Sequence, residues 1–92
     1  MAITRRLRIH GRVQGVFYRG WSVTTARGLG LRGWVRNRSD GTVEMLVHGA
    51  PERVEAMIAR CHEGPPAARV DRLDVAEDVE EAPAGFEERA SL

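Results

Sequence analysis

The chain of 92 residues has a single cysteine, Cys61, so it can form no internal disulfide, and one thiol makes no zinc centre. Aromatic residues are scarce at 5%. No apolar run reaches the roughly 20 residues of a membrane span, and "MAITRRLRIH" carries no apolar leader segment. These absences point to a protein of a reducing cytoplasm. The histidines, His10, His48 and His62, have no i, i+4 partner, and no Ser-His-Asp spacing is present. Acids are missing from the first 38 residues, which hold nine arginines (5, 6, 8, 12, 19, 27, 32, 36 and 38). The remaining residues hold five arginines and all 13 acids, so +9 faces −8 and the net charge is +1. Two readings of this asymmetry stand side by side. In one, the cationic half attracts an anion; in the other, the two halves neutralise each other in the fold.

Hydrophobic content of 42% with 29% charged residues is that of one small globular domain, spanning residues 1–92. "RRLRIHGRV" alternates, with Leu7, Ile9, Gly11 and Val13 on one face, and reads as a half-buried strand. Residues 18–29 read as a helix with Tyr18, Ser22, Ala26 and Leu29 along one side. "LRGWVRN" and "TVEMLVHG" read as strands joined by a hairpin turn at Asp40-Gly41. Pro51 opens a second helix whose apolar stripe is Val54, Met57, Ile58 and Cys61, stopped by Gly64-Pro65-Pro66. "ARVDRLDV" is a fourth strand, with Val70, Leu73 and Val75 expected to be buried. The acidic tail from Glu77 ends in "GFEER", either a short edge strand or a frayed end. The order β-α-β-β-α-β predicts an α+β ferredoxin-like sandwich, a four-stranded antiparallel sheet with both helices on one face.

The junction of the first strand and first helix, "HGRVQGVFYR", combines Gly15, a helix start and Arg19. The first N–H groups of a helix have no internal partner and lie at the positive end of its dipole. A glycine turn there can fold around an anion, and a guanidinium adds a planar fork for phosphate oxygens. The alternative is a tight turn beside a surface arginine. The spacing matches neither GxxxxGK[ST] nor GxGxxG, which favours a small phosphorylated molecule over a nucleotide. Asn37, beside the turn, either starts that turn or uses its amide to orient a water.

"GRVQGVFYR" followed by "GLRGWVRNRSDGTVE" resembles the acylphosphatase family, and the resemblance runs from about Leu7 to Val75. It implies hydrolysis of small acyl phosphates to carboxylate and inorganic phosphate, with no metal and no cofactor. By position, Arg19 matches the phosphate-binding arginine and Asn37 the asparagine that places the attacking water. Gln14, Gly15, Val16, Phe17 and Tyr18 match the loop whose backbone amides hold the phosphate. Inorganic phosphate is then both product and competitor. A free cytoplasmic monomer is expected, without nucleic-acid or membrane partners. Two positions and one segment depart from the pattern: Tyr18 stands where the family often has phenylalanine, Gly20 is expected to loosen the helix start, and "GFEERASL" matches the last strand poorly. Two other classes share the topology, a non-catalytic anion sensor and an RNA-binding module. The RNA module needs aromatics on its central strands, and the first and third strands here have none.

Overall fold

The computed structural model describes residues 1–92 and places the elements in the order β1 (Ile3–Arg12), α1 (Tyr18–Gly28), β2 (Arg32–Asn37), β3 (Val43–Gly49), α2 (Pro51–Glu63), β4 (Arg69–Glu77) and β5 (Phe86–Glu88). One five-stranded sheet runs β4-β1-β3-β2-β5. The pairs β1–β3, β1–β4 and β2–β3 are antiparallel, as the alternating segments predict. Alternation sends Leu7 and Ile9 of β1, Val35 of β2, and Val43, Met45 and Val47 of β3 into one core. Tyr18 and Ala26 of α1 and Val54, Met57 and Cys61 of α2 complete that core, so both helices cover the same face.

The expected four-stranded antiparallel sheet is present as β4-β1-β3-β2, and the tail, read as either an edge strand or a frayed end, adds a fifth strand. β5 forms, and it pairs parallel with β2 in the register Gly33↔Phe86 and Val35↔Glu88. A parallel neighbour requires a crossover, and the acidic tail supplies it. Ala82 packs on Trp34 and Leu46 on the opposite sheet face. Arg32 donates to the carbonyls of Ala82 and Pro83 at 2.7 and 2.8 Å, holding the tail in place. Phe86 then enters the main core.

One expectation for β4 is corrected. A register shift between His10 and Gly11 pairs Gly11 with Val70 but His10 with Arg72. The extra residue explains why Val70 and Leu73, three apart, both pack against the core. Val75 does not become buried. It is 44% exposed, because β4 is an outer strand of the sheet.

Four of the nine N-terminal arginines, Arg6, Arg8, Arg36 and Arg38, meet acids on the helix-free face. Glu44, 4% exposed, accepts from Arg6 at 2.7 Å, Arg36 at 3.0 Å and Arg38 at 3.2 Å. Arg6 also reaches Asp78 at 2.7 Å and Glu80 at 2.8 Å in the tail. Burial alone would raise the Glu44 carboxyl, but hydrogen bonds from Arg36 and Arg6 hold it below the usual range. Trp34 lies among the guanidinium groups of Arg6, Arg36 and Arg89, whose carbons sit 4.5–5.4 Å from its ring centroid. On this face the neutralising reading of the charge asymmetry holds.

Candidate active site

Where β1 ends, the chain turns through residues 13–17 into α1. Two residues of the turn have left-handed backbone, Gly15 at φ 72° and Phe17 at φ 68°. Gly15 takes this conformation without steric cost. Phe17 is a strained position for a bulky side chain, and such strain persists where the surroundings impose it. The residue is 74% exposed and its ring rests against Gly20. A Cβ on Gly20 would fall 2.4 Å from a ring carbon. Gly20 therefore has a packing role, making room for the Phe17 ring.

Phe17 is the N-cap of α1 and provides no side-chain cap, and the first turn contains no acid. The first helical bond runs from the Trp21 N–H to the Phe17 carbonyl at 3.0 Å. From Gln14 to Gly20, no backbone N–H has an acceptor within the protein. Five of these seven residues, Gly15 and Phe17 to Gly20, line a cavity of about 300 Å³ together with Val13, Asn37 and Glu88.

The structure thus gathers Gly15, Phe17, Tyr18, Arg19 and Asn37, five of the seven residues singled out in the sequence. The side chains of the other two turn elsewhere. Val16 is buried in the core. Gln14 donates to the carbonyls of Arg38 and Thr42 at 2.8 and 2.9 Å, tying the loop to the β2–β3 hairpin beside Asn37. Tyr18 reaches across to α2, its hydroxyl donating to the Cys61 carbonyl at 2.6 Å. That buried bond fixes the first turn of α1 and gives the tyrosine a structural use. Burial pushes the Cys61 thiol up to about 12, which marks a packing group rather than a nucleophile.

Asn37 ends β2. Its side chain plays no part in the turn, which Asp40 makes instead by accepting from the Thr42 N–H at 3.0 Å and the Thr42 hydroxyl at 2.6 Å. The Asn37 Oδ1 is buried and has no hydrogen-bond partner. An orphaned buried acceptor in a polar cavity calls for a donor from outside the protein. The Arg19 guanidinium forms no hydrogen bond. Its nearest acid is Glu88, with Nη1 to Oε2 at 4.0 Å, and the Arg19 side chain keeps 35% of its surface exposed.

Glu88 is the residue that sequence reading overlooked, because the last strand was in doubt. Once β5 is placed, the period of two locates it. With Phe86 in the core, Glu88 falls on the same sheet face. Its parallel partner Val35 lies two residues before Asn37 on β2, so both polar side chains arrive at the same end of the sheet.

A ferredoxin-like sandwich with an arginine and a run of free amides at one strand-helix junction defines an anion-handling protein, with a phosphoryl group the best-matched anion. Comparison with known proteins makes this specific. The acylphosphatase family model matches residues 5–88, and the chain belongs to that family. It is 57% identical over 89 residues to an acylphosphatase of Rhodospirillum rubrum, covering 97% of this chain and 98% of that one. It is 54% identical to one of Thermococcus kodakarensis, covering 91% of this chain and 92% of that one. Among solved structures, an acylphosphatase from Coxiella burnetii superposes with a TM-score of 0.91 at 34% identity, covering 96% of this chain and 93% of that one. The activity is hydrolysis of the carboxyl–phosphate bond of acyl phosphates.

Proposed function

We propose that the phosphoryl group of a small acyl phosphate is held by the Arg19 guanidinium and the backbone amides of Gln14, Gly15, Val16, Phe17 and Tyr18, while Asn37 orients the attacking water. The observation that carries this reading is the run of unpartnered N–H groups from Gln14 to Gly20 beside an arginine without a hydrogen bond. The orphaned Asn37 Oδ1 supports the second half, since a water can donate to it and be fixed by the bond.

Few groups suffice because the leaving group is good. A carboxylate with a conjugate-acid pKa of about 4–5 departs at neutral pH without a general acid. The transition state is loose and carries its charge on the phosphoryl oxygens. Preorganised amides and a guanidinium stabilise that charge, and no metal or cofactor takes part. The water proton passes to a phosphoryl oxygen of the substrate. A cytoplasmic monomer, one domain over residues 1–92, acts on a small molecule rather than on nucleic acid or a membrane. The covering of Trp34 supports this, since the one sheet tryptophan is 1% exposed and offers no base a stacking surface.

Hydrolysis of an aromatic acyl phosphate in EDTA, with phosphate as competitor, tests the reading. Turnover persists in EDTA and phosphate inhibits it. Asn37→Ala lowers kcat by about 10²-fold or more, the scale of one lost preorganised polar group. Phosphate inhibition stays near the wild-type level. Equal loss of phosphate binding in that variant would remove the water-positioning role.

A further inference from the structure

We propose that Glu88 sets how tightly the pocket holds phosphate, by acting as a built-in anion that competes for Arg19. The inference rests on the assignment of Arg19 to the phosphoryl group. Glu88 lines the same cavity as Arg19 and Asn37. Its carboxylate is the only acid paired with Arg19, at 4.0 Å and without a hydrogen bond, and both side chains are partly exposed, at 35% for Arg19 and 48% for Glu88.

The contrast with Arg6 shows what this geometry permits. Arg6 is locked by three hydrogen bonds of 2.7–2.8 Å to Glu44, Asp78 and Glu80. Arg19 is attracted to Glu88 but keeps its N–H donors free, so an incoming anion need break no bond to reach them. A phosphoryl group must share the cavity with the carboxylate or displace it. Either way like-charge repulsion opposes binding, reduced by the solvent the pocket admits. The same repulsion acts on the product. Phosphate and the phosphoryl end of the substrate use one cradle, and tight binding common to both does not raise turnover. Glu88 therefore weakens product inhibition.

The alternative use of a carboxylate here is to take the proton of the attacking water. The pairing with Arg19 favours competition, and the two roles predict opposite results. The experiment measures the Kd of inorganic phosphate by calorimetry, and its Ki against an aromatic acyl phosphate, for the wild type, Glu88→Gln and Arg19→Ala. With Glu88→Gln, Kd, Ki and KM fall together by about three- to tenfold, the scale of one partly screened charge contact. The gain shrinks as salt rises to about 0.5 M, where screening acts over only a few ångströms, a response that a packing effect lacks. Glu88→Ala repeats the gain. Unchanged phosphate affinity in both variants overturns the proposal, as does a collapse of kcat in Glu88→Gln with Ki unmoved. Arg19→Ala separates the role of Glu88 from that of the pocket. If it loses phosphate binding while the Glu88 variants match wild type, only the role of Glu88 fails. If it too binds phosphate normally, the assignment of the pocket fails with it.

Discussion

The two faces of the sheet use arginine in opposite ways. On the helix-free face Arg6, Arg36 and Arg38 converge on Glu44, a buried carboxylate with hydrogen bonds of 2.7–3.2 Å to them. At the head of α1, Arg19 has one acid at 4.0 Å and no hydrogen bond. The first arrangement consumes charge to hold β1, β2, β3 and the tail together. The second leaves charge and amide donors available to a ligand. Content of arginine therefore says little about function in this chain, and the state of each guanidinium says a great deal.

Arg19→Ala should break the contrast most severely. With Arg19 holding the phosphoryl group as proposed, the variant loses a charge-assisted fork and kcat/KM falls by about 10³-fold or more, close to 4 kcal/mol. Steady-state kinetics and phosphate titration of the folded variant check it. Near-normal turnover would place Arg19 among the structural arginines.

Glu44→Gln should act the other way. It leaves Arg6, Arg36 and Arg38 around a neutral side chain and destabilises the fold by about 1–3 kcal/mol, moderated because the arginines are partly solvated. Urea unfolding measures the loss. The pH dependence has a definite sign. The Glu44 carboxyl is held below its ordinary value in the folded protein, so its contribution is present above the unfolded-state pKa, near 4.5. It is lost as pH falls through the lower, folded value. The acid limb of the stability curve should therefore flatten in Glu44→Gln, and an unchanged limb would mean that other carboxylates govern acid unfolding.

The smallest effect sharpens the scale. Arg69 and Asp71 form a solvent-exposed bridge at 3.0 Å, with side chains 73% and 54% exposed. Arg69→Ala should change stability by less than about 0.5 kcal/mol. A larger loss by urea unfolding would show that surface pairing is misjudged here.

Sequence periodicity exposed the β-α-β-β-α-β core because alternation and i, i+3, i+4 spacing follow directly from strand and helix geometry. Motif position singled out Arg19 and Asn37 as candidates, and glycine with a helix start singled out the loop, all of which the fold brings to one end of the sheet. Periodicity did not expose β5, because three residues of strand give almost no periodic signal and the parallel pairing depends on a tail crossing the far face. Glu88 was hidden for the same reason. Nor did it show that Gly20 makes room for the Phe17 ring, or that Gln14 braces the hairpin, because both are contacts between residues whose approach only the folded chain defines. The bulge that lets Val70 and Leu73 share the core face was invisible too, as was the place of β4 at the edge of the sheet, which leaves Val75 exposed.

The central claim is that the anion binds where charge is free and not where it is paired. Titrating inorganic phosphate into the ¹⁵N-labelled protein and following backbone amides by NMR tests this directly. The account predicts saturable shifts concentrated in residues 14–20 and at the Arg19 side chain, abolished by Arg19→Ala. Shifts centred on β1 and β3 around Arg6 and Glu44, with the loop unmoved, would contradict it.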